Sequence, residues 1–198
     1  MLYFFAQTGM AEFSQWLIPT CWVVFLLYWL LKARQAKATA EMQSRPSALL
    51  HRLPLGLSYY LMLAQWLPPD LDRVVTPHTD WARGAGDLVC VLGLFVTLWA
   101  RWTLAGNWSS DVTFKREHEL IRTGPYRFAR HPIYTGLLLM CLGTAIELAR
   151  VRGWLALPLM AFAFWIKLSQ EERLLLRHFP DTYPAYQKQV KAIVPFIL

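Results

Sequence analysis

Two short stretches of this chain carry residues whose types and spacing suit chemistry: Arg130–His131–Pro132–Ile133–Tyr134, and Lys167 with Glu171 and Glu172. Pro132 reads as the first residue of a helix, where its missing N–H costs nothing and its fixed φ is already helical. The free N–H groups of that first turn, with Arg130 and His131 beside them, make a place for a carboxylate or phosphate. Gly124–Pro125 imposes a turn just before, so backbone geometry aims Tyr126. In the second stretch Lys167 and Glu171 stand four apart and share a helix face, while Glu172 is expected to point elsewhere. A carboxylate here meets a cationic ligand group. Taken alone, each stretch has a plainer reading that composition favours: a basic cap on a proline-started helix, and solvated surface charge. Taken together, an anion-binding elbow facing a carboxylate suits a zwitterion such as an amino acid moiety.

The elements that must position these groups are membrane spans. Of the 198 residues 56% are hydrophobic and only 17% charged, which places the chain among membrane proteins. Five apolar segments can be read: Trp16–Leu31, Leu53–Leu67 opened by Pro54, Asp87–Leu104, Pro132–Ala149 and Gly153–Leu168. Several are shorter than the roughly 20 residues of a perpendicular helix, a difference that tilt and flanking aromatics fill. The link Arg150–Val151–Arg152 is tight, so the fourth and fifth spans form a helical hairpin. That hairpin brings the link from His118 to Tyr134 and the stretch from Lys167 to Glu172 to the same end of the bundle. Leu168–Phe179 is amphipathic and is expected to lie along the membrane surface; Lys32–Arg45 is expected to be a helical link.

Lysine and arginine set the orientation. Fifteen fall on one side: Lys32, Arg34, Lys37, Arg45 and Arg52; Lys115, Arg116, Arg122, Arg127 and Arg130; Lys167, Arg173, Arg177, Lys188 and Lys191. The other side has four: Arg73, Arg83, Arg150 and Arg152. The expected fold is therefore an all-α integral membrane protein of about five transmembrane helices, with the N-terminus outside and the C-terminus and both polar stretches in the cytoplasm. Arg101, near the cytoplasmic end of the third span, is expected to snorkel. Residues 1–198 read as one membrane domain without repeats, 1–105 holding three spans and 106–198 a cofactor-binding and catalytic region with the hairpin and tail.

Several classes drop out. A net charge of +7 beside apolar spans speaks for topology and anionic lipid rather than nucleic acid. Cys21, Cys90 and Cys141 lie in apolar runs, where small buried hydrophobes belong, and no metal spacing of the HExxH or CxxC type occurs, so no metal is expected. Gly84–Ala85–Gly86 is not a dinucleotide loop, since no strand precedes it and the third glycine is missing. The first apolar run has no basic segment before it and no small-residue cleavage site, as a signal peptide would have. His51 and His178 look incidental, and His78 belongs to the external side.

The motifs also carry a resemblance. His118–Glu119–Leu120–Ile121, Gly124–Pro125–Tyr126 and Arg130–His131–Pro132–Ile133–Tyr134–Thr135–Gly136 resemble the isoprenylcysteine carboxyl methyltransferase family, in its compact prokaryotic form, within the wider phospholipid methyltransferase-like superfamily. Glu171–Glu172, Phe179, Tyr183, Tyr186, Val190 and Pro195–Phe196 follow that family's closing pattern in order, so the resemblance runs from about His118 to the end. It departs at Pro180, where the family has glycine, and at Lys167, where it has arginine. The resemblance implies an integral membrane enzyme, multi-pass in a bacterial inner membrane, that transfers a methyl group from S-adenosyl-L-methionine to a lipophilic or prenylated acceptor drawn from the bilayer. It implies that His118, Glu119, Leu120, Ile121, Tyr126, His131, Pro132, Ile133 and Tyr134 line the cofactor pocket, that Glu171 receives the cofactor's ammonium, and that Lys167 orients the acceptor's carboxylate as the catalytic and substrate-binding residue. O-methylation of a carboxylate by in-line displacement needs no base. The alternatives are a phospholipid or amine N-methyltransferase, for which His118 or Glu172 would supply the base, and a nicotinamide-dependent sterol-type reductase, whose asparagine spacing after the histidine is missing here. A non-enzymatic scaffold binding anionic lipid leaves the paired clusters unexplained.

Overall fold

A computed structural model describes residues 2–34, 37, 39–42, 45–64, 66–109, 112–115 and 119–194, with side chains omitted at 2–11, 39–42, 45 and 114–115. The described order is α1 (Leu2–Ala33), β1 (Thr39–Met42), α2 (Arg45–Leu63), α3 (Asp80–Leu104), β2 (Thr113–Lys115), α4 (Pro132–Leu148), α5 (Val151–His178) and α6 (Tyr183–Gln189). Short 3-10 turns follow α3 at Ala105–Asn107 and precede α4 at Gly124–Arg127. β1 and β2 pair antiparallel, Thr39 opposite Lys115 and Met42 opposite Thr113. The link after α1, expected to be helical, is thus partly a strand, because a partner strand is available beyond α3, at Thr113–Lys115.

Among the described residues, three helices are long and apolar enough to cross a membrane: Glu12–Ala33, Asp80–Asn107 and Val151–His178. α4 is apolar but has 17 residues, a rise of about 25 Å against a hydrocarbon core of about 30 Å. α2 carries His51 and Arg52 among its apolar residues and starts well before Pro54, which lies inside the helix instead of opening it. Trp16, Leu30, Leu31, Phe95 and Trp165 stand exposed around the bundle, the surface a lipid environment covers. The three cysteines are buried and free.

α3 packs chiefly on α4, and α5 on α2. The α3–α4 seam works by small residues. Gly86, Cys90, Gly93, Thr97 and Ala100 form a buried stripe on α3 at alternating spacings of four and three, and Gly136 and Gly143 face it from α4. A Cβ added at Gly93 would stand 2.6 Å from both Gly136 O and Met140 N. The two backbones are therefore in contact, as small-residue seams permit. Gly93→Ala gains about 1 kcal/mol of helix propensity, but the added carbon meets backbone that no rotamer change can move. Overpacking of about 1–3 kcal/mol should prevail, and the melting temperature in detergent is expected to fall.

At the opposite end from the polar stretches, the α2–α3 link straps the α4–α5 turn. Val75 N–H donates to Ala149 O at 2.9 Å, Val151 N–H to Arg73 O at 3.0 Å, and Arg150 and Arg152 both meet the Asp72 carboxylate. His78 Nε2 lies 2.8 Å from Glu147 O in the same strap.

Three expectations need correction. Leu168–Phe179 is not a separate surface helix: α5 runs unbroken to His178, with Leu168 in the hydrophobic core and Leu174 buried, because no glycine interrupts its ladder after Pro158. Arg101 does not snorkel; it is fully buried. His51 is not incidental, since it is buried with Nδ1 at 3.2 Å from Gln170 Oε1 on α5.

Candidate active site

The 3-10 turn before α4 begins at Gly124, whose φ of +58° places it in the left-handed region that glycine enters without strain. Pro125 follows, and Tyr126 is turned inward and buried. Its carbonyl accepts the Tyr186 hydroxyl at 2.5 Å, so α6 holds the turn from behind.

α4 starts at Pro132 with His131 in the capping position. Its first turn closes on itself, Tyr134 and Thr135 N–H both donating to His131 O at 3.0 and 3.2 Å. The N–H groups of Arg130 and His131 donate to Lys191 O and Ala192 O, each at 2.8 Å, and Thr135 Oγ1 donates to Ile193 O at 2.7 Å. The chain after α6 thus lies along this elbow as a strand does. Of the donors expected for an anion, the tail takes the N–H groups of Arg130 and His131, and His131 O takes those of Tyr134 and Thr135.

The guanidinium of Arg130 is taken as well. Its Nε and Nη2 donate to Glu172 Oε1 at 2.8 and 2.7 Å, and Nη1 donates to Gln187 O at 3.3 Å and to Val190 O. Gln187 Nε2 donates to the other Glu172 oxygen at 3.0 Å. Glu172, expected to point elsewhere than Glu171, points toward the tail, where it ties the start of α4 to α5 and α6. It also lies 3.2 Å from His131 Nε2, while Glu171 lies 3.5 Å from His131 Nδ1. The imidazole sits between two carboxylates on consecutive residues of one helix.

Glu171 faces the other way, toward the interior, and accepts the Tyr134 hydroxyl at 2.7 Å. His131, Tyr134 and Phe164 stack nearly parallel, with centroids 5.5 and 4.6 Å apart. Lys167 Nζ lies 5.5 Å from the Tyr134 ring centroid, within cation–π range.

Burial alone would lower the His131 pKa, but hydrogen bonds and charge from Glu171 and Glu172 outweigh it and raise it above its ordinary 6.5. A raised pKa means the folded state binds its proton more tightly than the unfolded state. This contribution is fully present below pH 6.5 and is lost as pH rises through the raised value. Thermal melting of the wild type is therefore expected to lose stability on the alkaline side of 6.5 by an amount absent from His131→Asn. Parallel pH curves for the two proteins would contradict this.

These groups border a cavity of about 300 Å³. Tyr126, His131, Ile133, Tyr134, Lys167 and Glu171 line it, as does Arg130. Of the other residues expected at the site, Glu119 is exposed, its N–H 3.4 Å from Asn107 Oδ1. Leu120 is partly buried, Ile121 packs on the hydrophobic core, and Pro132 is buried as the helix start. None of these four borders the cavity, and His118 lies outside the described residues.

Sequence reasoning missed the far wall. Phe25 and Trp29 of α1, Leu55 and Tyr59 of α2, and Asn107, Trp108 and Thr113 of the link after α3 all line the same cavity. The aromatic spacing of Trp22, Phe25 and Trp29 on α1 was the available signal, but it is also the pattern of any lipid-facing helix. The cavity is therefore polar at one end, where α4 and α5 meet, and apolar and aromatic where α1 and α2 enclose it.

A family model described as phospholipid methyltransferase matches residues 81–182. The protein-S-isoprenylcysteine O-methyltransferase of Rattus norvegicus is 28% identical over 141 residues, covering 68% of this chain and 50% of that protein. The protein of the same name from Tribolium castaneum is 32% identical over 123 residues, covering 59% and 43%. A solved structure of the eukaryotic intramembrane Ras methyltransferase ICMT is 26% identical, with a TM-score of 0.49, over 79% of this chain and 55% of that one. The chain spans about half the length of the curated relatives it matches.

Proposed function

This chain belongs to the phospholipid methyltransferase family, and from that premise we propose that it is a membrane methyltransferase that moves a methyl group from S-adenosyl-L-methionine to the carboxylate of a lipophilic, isoprenylcysteine-type acceptor. The observation that carries this reading is the two-ended cavity. Glu171, oriented by Tyr134 and His131, offers a carboxylate at the polar end, and Phe25, Trp29 and Tyr59 form an apolar wall opposite. The donor set fits the cofactor. An ammonium finds a carboxylate, and the aromatic lining of Tyr126, Tyr134 and Phe164 suits a cationic sulfonium. When bound, the cofactor supplies a methyl group made electrophilic by its sulfonium.

The chain's own residues bind, orient and exclude water. Glu171, Tyr134 and Tyr126 would hold the cofactor, with His131 fixing Glu171 from behind. Lys167 would hold the acceptor's carboxylate beside the Tyr134 ring. Such an acceptor is ionised at neutral pH and asks for no base. That agrees with the state of Glu172, whose oxygens are occupied by Arg130, His131 and Gln187 and are poorly placed to take a proton from an amine. The prenylcysteine names of the relatives support the same acceptor class.

We place the protein in the membrane with about five spans, α2 and α4 completing the three long ones, and with the N-terminus outside. The bias of fifteen basic residues against four supports a site that opens to the cytoplasm.

The test is transfer of labelled methyl from S-adenosylmethionine to a panel of prenylcysteines, fatty acids and aminolipids by the purified protein. Base-labile label on a prenylcysteine is expected; base-stable label on an aminolipid would overturn the ester reading. Lys167→Met should raise the acceptor KM about 10- to 100-fold, the worth of a hydrogen bond to a charged group, and leave cofactor affinity unchanged. Lys167→Arg should retain the wild-type KM or lower it, because its fork matches a carboxylate.

A further inference from the structure

Arg101 is fully buried near the C-terminal end of α3, yet no acidic side chain among the described residues pairs with it. A buried cation needs a counterpart. Here the negative ends of two helices supply it. Nη2 donates to Lys32 O at 2.8 Å in the last turn of α1, and Nη1 donates to Ala105 O at 2.7 Å, just past the end of α3. Both carbonyls lie where a helix dipole favours positive charge. Ala105 has a φ of +48°, a strained value for a residue with a Cβ, and the Arg101 hydrogen bond holds the chain in that turn.

The plane of the guanidinium serves a second purpose. Its Cζ lies 4.6 Å from the Trp108 ring centroid and 5.9 Å from that of Trp29. The two indoles meet edge to face at 5.7 Å, and Phe25 packs on Trp29 at 4.5 Å. Phe25, Trp29 and Trp108 are all wall residues of the cavity. Arg101 touches none of its open space and closes the aromatic column from behind.

We infer that Arg101 is a positioning residue for the acceptor: by bonding the carbonyl ends of α1 and α3 and lying within cation–π range of Trp29 and Trp108, it sets the apolar wall that receives the acceptor's hydrocarbon. This rests on the methyltransferase reading for the word acceptor, while the positioning of the two indoles stands without it. Lysine at 101 keeps the charge but loses the planar fork that reaches two carbonyls at once. The wall then loosens although the charge remains. At the cofactor end Tyr126 is within its electrostatic reach, while Glu171 and Tyr134, on α5 and α4, hold each other.

The experiment compares wild type, Arg101→Lys, Arg101→Gln and Trp108→Leu, purified as full chains. In 5-fluorotryptophan-labelled protein, the Trp29 and Trp108 resonances, identified by replacing each with Phe, are expected to shift and broaden in both Arg101 variants while the Trp16 resonance stays in place. Unmoved Trp29 and Trp108 resonances overturn the inference whether or not the protein methylates anything. With N-acetyl-S-farnesylcysteine as acceptor, both Arg101 variants and Trp108→Leu are expected to raise its KM about tenfold, with S-adenosylmethionine affinity, through Tyr126, changed less. Equal loss of cofactor and acceptor affinity would mark Arg101 as merely structural and also overturn it. Failure of the wild type to bind S-adenosylmethionine would count against the proposed function and leave the fluorine result to decide this inference.

Discussion

Glu171→Gln is expected to weaken S-adenosylmethionine binding on the order of 30- to 4,000-fold, the range in which removing one partner of a buried, hydrogen-bonded charge pair falls. The change is nearly isosteric. Tyr134 keeps an acceptor for its hydroxyl, now at 2.7 Å from Glu171 Oε1, and the stack of His131, Tyr134 and Phe164 has no reason to collapse. What disappears is the negative charge turned toward the cavity, and the cofactor's ammonium then has no counter-ion there. Glu172 cannot replace it, because Arg130, His131 and Gln187 surround its carboxylate. Tyr134→Phe removes only the hydrogen bond that orients Glu171, so its loss should be smaller, about tenfold. Calorimetric titration with S-adenosylhomocysteine, which needs no turnover, measures both. Wild-type affinity in Glu171→Gln would remove Glu171 from the site.

The second large effect concerns architecture. Glu172→Ala leaves Arg130, sheltered from water, without the carboxylate it pairs with, and His131 with one of its two. Side-chain exposures of 11% for Arg130 and 15% for Glu172 put the pair in the regime where breaking it costs about 3–5 kcal/mol. For a chain of this size that corresponds to a fall in melting temperature of about 6–20 °C. The damage should be local at first. Arg130 also binds the carbonyls of Gln187 and Val190, so the segment from Phe179 to Val194 should become the earliest site of limited proteolysis. Replacing both partners, Arg130→Met with Glu172→Met, removes the unpaired charge and should restore part of the stability. Strict additivity of the two single changes, or an unchanged melting temperature in Glu172→Ala, would show that the pair does not clasp the tail.

The two glutamates illustrate how far the linear chain could be read. That Glu171 and Glu172 would come near His131 followed from the hairpin: a three-residue link between two apolar segments returns the chain to where it started. Their division of labour did not follow. Consecutive helical residues point about 100° apart, and the reading of Glu172 as pointing elsewhere assumed that only one direction led to the site. His131 lies in the groove between the two directions, so both reach it. Arg130 was read as part of an anion site because nothing local shows that a guanidinium is already engaged by a partner 42 residues away. Arg101 was read as snorkelling for the same reason, since the carbonyl it bonds on α1 is 69 residues distant.

The sequence by itself determined the membrane class, the start of α4 at Pro132, the turn at Gly124–Pro125 that aims Tyr126, and the meeting of the two polar stretches at one end of a hairpin. Each of these depends on local backbone restrictions or on the solvent preference of a whole segment, which composition and spacing record directly. Only the tertiary structure decided that α1 and α2 complete the cavity, that the tail occupies the N–H groups of Arg130 and His131, and that Glu172 clasps Arg130 and the tail. Those outcomes depend on how helices rotate against one another, and in a membrane protein an aromatic side chain facing lipid and one facing a cavity are written in the same residues.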